Sequence, residues 1–462
     1  MFTGEAIHWD AYAQSHNGFS AAFVGKTGTG KSCTIKILAS RLENFGYRFA
    51  CIDTEKSGGR GEYAQLCDVL GGINFQLKTS SENRLNIFEV DEQLEHDDRM
   101  NVDVRALHLA DKVADVRNIL MTAIIGTKSL PDFSLAVPLE KILTDCINEL
   151  YASKGIVDGN PDSLYTMKGN QKVRKDLPVM SECYLWIMKH RRDNANELHT
   201  TAYQVLADSL SDFVDRLYLD EDTFERISRE EYDERLKAGE HVKFINGTKG
   251  YFDGQSSMHI TRQTPFINVD ISDLPKDDKL IGQQVAMNFL IENYIKKNSE
   301  NVKNAQRIVL IVDEAHRMFP YEVSRRFLSD QVRTARKNNA SMWICTQAHK
   351  DFDVSEETRS ILKNVSSIFM LKQDSMDADY LRQNTILTDS MVNRVISLGG
   401  DPNDINDKAH KGEVCLIDMD KVIFMKVKYL EETEALFAET DVSKQQRMAE
   451  LIETQEKFSE SA

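Results

Sequence analysis

Several things are scarce or missing in this sequence, and each gap narrows what the chain can be. No uninterrupted apolar run reaches about 18 residues, the length a membrane-crossing helix needs. The opening residues MFTGEAIHWD have neither the basic start nor the apolar stretch of a secretory signal. The cysteines number 7, an odd count, and no two stand in a C-x-x-C pair. That pattern argues for a reducing cytosol and against a disulfide framework or a zinc site. Prolines are few, 8 in 462 residues, and no repeat or low-complexity tract occurs. Positive charge is in deficit, with 57 Lys and Arg against 73 Asp and Glu, for a net charge of −16. A protein that grips DNA over its whole surface is usually basic, so the total disfavours that role and leaves only a local basic channel open. What remains is an ordinary globular composition, 41% hydrophobic and 28% charged, in a chain long enough to bury a large core.

The stretch GKTGTGKS, from Gly25 to Ser32, fits the pattern G-x-x-x-x-G-K-[ST] in full. SAAFVG before it is short, apolar and β-prone. Ile35, Leu38, Leu42 and Phe45 after it are spaced for one face of a helix, with Gly46 as its C-cap. Strand, glycine loop and helix start are what a phosphate site requires. Gly25, Gly28 and Gly30 let the backbone curl, so that the N–H groups of Lys26, Thr27, Thr29, Lys31, Ser32 and Cys33 turn towards one anion. The helix dipole adds positive potential. Lys31 is expected to reach the β- and γ-phosphates of ATP, and Ser32 to hold Mg²⁺. The plain alternative is a glycine-rich turn that matches by accident. A dinucleotide fingerprint fails, because its last glycine falls on Cys33.

A second stretch, RIVLIVDEAHRMF, runs from Arg307 to Phe319. Its apolar run Ile308 to Val312 reads as a strand buried on both faces of a parallel sheet. Asp313 at its end is expected in the magnesium shell, and Glu314 as the general base that polarises water. On their own, two acids after a strand would be a solvated strand end; the phosphate loop upstream favours the catalytic reading. SMWICTQ, from Ser341 to Gln347, is another apolar strand. Gln347 at its end suits a γ-phosphate sensor, since an amide both orients water and responds to loss of phosphate. A polar strand terminus is the simpler alternative. Between the two strands, RRFLSDQVRTARKNN reads as a basic helix. Arg336, with Arg333 second, is a candidate to reach a neighbouring subunit's nucleotide; a solvated basic face is nearly as good a reading for either.

Taken in order, the motifs resemble a family. Phosphate loop, FACIDTEKSGGRGEY, a long insert, Asp-Glu, an R-x-x-R-K helix and a T-Q strand end follow one another from about Gly18 to about Leu371. This order resembles the HerA–FtsK branch of RecA-like motors, and within it the VirB-four (TraC/TrbE-like) ATPases of conjugation and type IV secretion. Asp53 with Gly61, Glu62 and Tyr63 is similar to one segment of that class. GGINFQLKTSSENRLNIFEV, FINGTKGYFDGQS, FINVDISDLP and RSILKNVSSIFMLKQ are similar to others. The resemblance implies an ATP hydrolase working with Mg²⁺, hexamers or sometimes dimers, partners in the secretion complex, and a place in the cytoplasm, peripheral to the inner face of the membrane. It allows Glu62 to line the site, with a surface role as good a reading. Two departures stand out. The family usually has Trp where this chain has His316, and it normally carries a sizeable domain ahead of the ATPase. The chain is therefore expected to be a short member, a split protein or an isolated motor domain. Asp-Glu-Ala-His also belongs to helicases, but their serine-alanine-threonine and glutamine-arginine motifs are not in this sequence.

The expected fold is α/β: a RecA-like P-loop NTPase core with a largely parallel sheet, plus an inserted, mostly helical domain. About 280 residues separate the phosphate loop from Asp313, too many for a minimal core. The expected division is core over 1–95, helical insert over 96–240, core again over 241–430, and a helical tail over 431–462. Leu109, Val113, Val116 and Leu120 mark one helix face, and 138–153, 179–193 and 195–217 also read as helical. DGNPDSLYTMKGNQKVRKDLP reads as an exposed, mobile loop. Its basic residues, with Lys189, Arg191 and Arg192, suit DNA or an acidic partner, or simply solvent. Asn246-Gly247 suggests a hairpin between 241 and 270. Three functions fit: a secretion ATPase, a DNA translocase or coupling protein of the same branch, and a nucleotide-binding scaffold with negligible turnover.

Overall fold

The computed structural model describes residues 5–16, 18–97, 102–125, 133–191, 197–299, 306–399 and 412–428. Leu436, Phe437, Met448, Leu451 and Ile452, expected to pack on the body or a partner, lie outside the described residues, as does Arg192. Two compact units form. The first holds Met1–Phe75, Arg262–Asp273 and Asn301–Ala462; the second holds Gln76–Thr261 and Leu274–Glu300.

Among the described residues of the first unit, nine strands make one sheet. In chain order they are β1 (Ser20–Val24), β2 (Tyr47–Asp53), β3 (Ile73–Gln76), β4 (Phe266–Asp270), β5 (Arg307–Val312), β6 (Ala340–Thr346), β7 (Val365–Met370), β8 (Glu413–Asp418) and β9 (Lys421–Lys426). Across the sheet the order is β9-β8-β7-β1-β6-β5-β2-β4-β3. From β7 to β4 the pairs are parallel, while β8 and β9 are antiparallel. The central strands are buried along nearly their whole length, which is why they read as unbroken apolar runs. Alternate residues Phe23, Phe49, Val309, Ile311, Trp343 and Phe369 meet in one core cluster. Trp343 is its hub, with ring centroids of Phe23 at 5.0 Å and Phe49 at 5.7 Å. Phe23 stacks on Phe369 at 4.6 Å.

Helix α1 (Lys31–Glu43) forms as expected and buries Ile35 and Leu42. It stops short of Phe45, which is 77% exposed rather than on the buried face. The turn closes early because Gly46 takes a φ of 81° and its N–H bonds to Glu43 O at 2.9 Å.

The second unit is largely helical, with helices Leu109–Ile125, Ala136–Ser153, Met180–His190, Glu197–Leu210, Arg229–Lys237 and Lys279–Leu290. Leu109, Val113, Val116 and Leu120 are buried on one face. The expected insert of 96–240 falls wholly inside this unit, whose contact boundaries are wider. Residues 242–245 join it because Val242–Ile245 pairs antiparallel with Leu217–Asp220. That pairing also corrects the expected hairpin: the strand's partner lies upstream, and Asn246-Gly247 merely follows it. The expected mobile loop at 158–178 is a hairpin instead. Tyr165–Lys168 pairs with Gln171–Arg174 across Gly169 and Asn170, with Gly169 at a φ of 62°. Arg174 anchors it to Asp91 at 2.8 Å, and Lys172 reaches Asp162 at 2.6 Å. No helix among the described residues is long and apolar enough to cross a membrane.

Candidate nucleotide site

The candidate site lies where β1, β5 and β6 end, so the glycine loop, the acid pair and Gln347 all leave buried strands. Gly25 follows β1, and its N–H bonds to Thr346 O at 3.1 Å. A Cβ there would lie 2.8 Å from both Leu371 Cβ and Thr29 Oγ1, so only hydrogen fits. Gly28 and Gly30 have φ of 81° and 91°, the left-handed region that glycine enters at no steric cost. Thr29 folds the loop by donating its hydroxyl to Lys26 O at 2.7 Å. Lys26, Thr27, Gly28 and Gly30 are exposed, and Lys26 is ion-paired with Asp374. Lys31 opens α1 and is buried; Ser32 and Cys33 are half-buried beside it.

Asp313 and Glu314 follow β5. Glu314 has φ 48° and ψ 42°, left-handed for a non-glycine residue. Such a conformation costs about 1 kcal/mol or more and collects at functional sites. Here it turns the carboxylate back onto the loop. Lys31 Nζ lies 2.8 Å from Glu314 Oε1. Gln347 Nε2 donates to Glu314 Oε2 at 2.9 Å, and His316 Nδ1 lies 3.3 Å from the same oxygen. Three residues singled out from distant stretches of the sequence therefore meet in one hydrogen-bonded cluster.

Burial and charge divide the roles of the acids. Burial pushes the Asp313 carboxyl up to about 7, with Lys31 opposing and the negative charges of Glu62 and Glu314 adding to the rise. Burial also raises Glu314, but the charge and hydrogen bond of Lys31, then the bond from Gln347, outweigh it and hold Glu314 below its ordinary value. Burial lowers Lys31, yet Asp313 and Glu314 overcome this and keep it above the ordinary lysine range. Lys31 is thus a cation held between two acids beside the loop.

Ser32 Oγ donates to Glu62 Oε2 at 3.0 Å, which brings Glu62 to the site. The turn carrying Glu62 is fixed by strand-end acids: Asp53 Oδ2 accepts from Tyr63 N at 2.8 Å, and Asp270 Oδ2 from Gly61 N at 2.9 Å. Lys36, one turn along α1, is fully buried with its ammonium 5.7 Å from the Tyr63 ring centroid. Sequence reading missed Lys36 and Asp270. Asp270 had a signal, since it ends an apolar strand as Asp53 and Asp313 do; Lys36 had none.

Arg333 and Arg336 do not join this cluster. Arg333 is exposed and paired with Asp330 at 2.6 Å. The Arg336 guanidinium lies 5.6 Å from the centroid of Phe19, which precedes β1. The phosphate loop leaves the other end of that five-residue strand, about 16 Å away along its axis.

The donor set fits Mg²⁺ bound together with a triphosphate. Ser32 Oγ and the Asp313 carboxylate are hard oxygen ligands. No group of three or more His, Cys, Asp or Glu among the described residues forms a complete metal cage. Mg²⁺ is ordinarily held in this way, by one or two protein oxygens, waters and substrate phosphates. A buried acid that resists ionisation next to two others is a place where a cation is welcome.

No protein-family model and no curated protein matches the sequence. Among solved structures the chain is similar to VirB4 of Thermoanaerobacter pseudethanolicus, at 20% sequence identity and a TM-score of 0.65, over 92% of this chain and 94% of that one. It is also similar to the bacterial conjugative coupling protein TrwBdeltaN70 in its sulphate complex, at 12% identity and a TM-score of 0.52, over 88% of this chain and 83% of that one. At these identities the likeness is one of fold. Together with the strand order β7-β1-β6-β5-β2 and the loop after β1, it establishes that the first unit has the RecA-like P-loop NTPase fold.

Proposed function

We propose that this chain is an ATPase motor that hydrolyses ATP with Mg²⁺ to power a conjugative or type IV secretion apparatus. The observation that carries the reading is the cluster of Lys31, Glu314 and Gln347 against the glycine loop, with Ser32 and Asp313 beside it. Gly25 to Ser32, with the N–H of Cys33, cradle the phosphates. Mg²⁺, when bound, neutralises charge on the transferring phosphoryl group, and Ser32 and Asp313 are the residues that hold it. Glu314, kept ionised by Lys31, takes the proton of the attacking water. Gln347 orients that water and responds when the terminal phosphate leaves. Lys31 must release part of its hold on Glu314 to reach the phosphates, which couples nucleotide binding to freeing of the base.

The likeness to VirB4 supports the secretion reading over a DNA-coupling one, because it is closer than the likeness to TrwBdeltaN70. The net charge of −16 agrees. The same reading implies a homo-oligomer, hexamer or dimer, at the cytoplasmic face of a membrane with other secretion components. An arginine, Arg336 or Arg333, then reaches across from a neighbour. Changing Glu314 to Gln tests the enzyme. ATP binding is expected to persist while turnover falls by about 10²–10⁴, the usual contribution of a general base. Unchanged turnover sinks the proposal. Hydrolysis that rises with DNA and collapses with salt would favour the coupling reading.

A further inference from the structure

The segment after β7, Leu371 to Asp374, touches both sides of the site. On one side it borders the phosphate loop: Leu371 N donates to Val24 O at 2.8 Å, Lys26 N to Lys372 O at 3.4 Å, and Asp374 is ion-paired with Lys26. On the other side Gln373, 2% exposed, turns inward. Its Oε1 accepts from His349 N at 3.0 Å, and its Nε2 donates to Leu371 O at 3.2 Å. These backbone partners fix which way the amide points, since an N–H needs an acceptor and a carbonyl needs a donor.

His349 stands two residues past Gln347. Between them Ala348 N donates to Asp351 Oδ2 at 2.9 Å, and the Thr346 hydroxyl donates to the same oxygen. Gln347 therefore sits in a turn pinned by Asp351 at its near side and by Gln373 at its far side. Gln347 itself is exposed, and among the described residues this turn and the bond to Glu314 hold its amide in place.

We infer that Gln373 is a positioning residue for hydrolysis, keeping Gln347 at Glu314 by fixing His349 and tying that turn to the phosphate loop through the segment it shares with Asp374. The inference rests on the reading of Gln347 and Glu314 given above. A methionine in its place fills the same volume but leaves the buried His349 N–H without its acceptor. The turn then loosens, while the glycine loop, Lys31 and Ser32 keep their own contacts.

Gln373→Met is tested in the full-length protein for ATP affinity and turnover, alone and combined with Gln347→Ala. Turnover is expected to fall about tenfold with ATP affinity within about twofold. In the Gln347→Ala background the second change should alter turnover by less than about twofold, because both act through one group. Equal losses in the two backgrounds, or a loss of affinity in place of turnover, would overturn the inference. If the methionine variant does not fold, Gln373→Asn, one methylene too short, carries the same expectations. Amide exchange across 346–350 gives a readout that needs no catalysis: it should speed at least about tenfold in the variant. Unchanged exchange there also overturns the inference. A wild-type protein without turnover refutes the ATPase reading, and the exchange result still decides the role of Gln373.

Discussion

Asp313 and Glu314 are neighbours in sequence, yet the structure gives them opposite electrostatics. Glu314 faces a lysine and a glutamine and stays charged; Asp313 is buried where charge is unwelcome. The second fact has a pH signature. Burial raises the Asp313 carboxyl from 3.8 to about 7 in the folded chain. Below about pH 4 it is protonated in both folded and unfolded states and costs nothing. As pH rises from there to about 7, the unfolded chain loses this proton first, so the folded state is progressively penalised, by up to about 4 kcal/mol above pH 7. Asp313→Asn removes the penalty. Thermal melts without nucleotide should show the variant more stable than wild type at pH 8, with the gain shrinking towards pH 4, while Mg²⁺-dependent hydrolysis is lost. A gain that grows on acidification would contradict this placement of Asp313.

At the scale of elements, the strands were legible because parallel strands covered on both faces must be apolar throughout. β1, β5 and β6 could be read in the sequence for that reason, and the acids and glutamine at their ends marked the site. The hairpin at 165–174 was not legible. Its two short strands mix Tyr165, Met167 and Val173 with polar residues and show no apolar face, and its tie to Asp91 comes from sequence more than eighty residues away. The partner of 242–245 was hidden for the same reason: strand pairing is a long-range choice, and Asn246-Gly247 offered a false local one. Gln373 ends the segment RSILKNVSSIFMLKQ, but nothing in that segment singled it out, because a buried glutamine bonding to backbone leaves no signal in spacing. The glycine loop itself makes a prediction. Gly25→Ala would force Cβ to 2.8 Å from Leu371 Cβ, part of a packed strand end that cannot swing aside. Titration with ATP should show affinity at least about tenfold weaker. Gly28→Ala meets nothing within 4 Å, so only its left-handed φ stands against it, and its loss of affinity should be clearly smaller than that of Gly25→Ala. Equal effects at the two positions would mean that strain, and not the contact with β7, governs the loop.

For the molecule as a whole, the sequence conveyed the α/β core and the presence of a helical second body, but not where one ends and the other begins. Residues 76–95, 241–261 and 274–300 join the second unit through contacts made at a distance, and composition does not change at those points. Arg336 lies beside Phe19, at the end of β1 away from the phosphate loop, so any part it takes in hydrolysis would be at another chain's site. Arg336→Ala and Lys31→Ala subunits should each be inactive alone. Mixed, they should recover part of the hydrolysis, because one intact loop then meets one intact arginine. No recovery at any ratio, with assembly unimpaired, would leave Arg336 a surface cation and pass the question to Arg333.

All of this depends on the glycine loop and the acid pair enclosing one metal-bound triphosphate. The most direct measurement is calorimetric titration of the wild-type protein and of Lys31→Ala with ATP, each with and without Mg²⁺. The expected result is one saturable site per chain in the wild type, tighter with Mg²⁺, and affinity at least about tenfold weaker in the variant despite an intact fold. Wild-type protein that takes up no ATP, or a variant that binds it equally well, would contradict the placement of the nucleotide between Lys31 and Asp313.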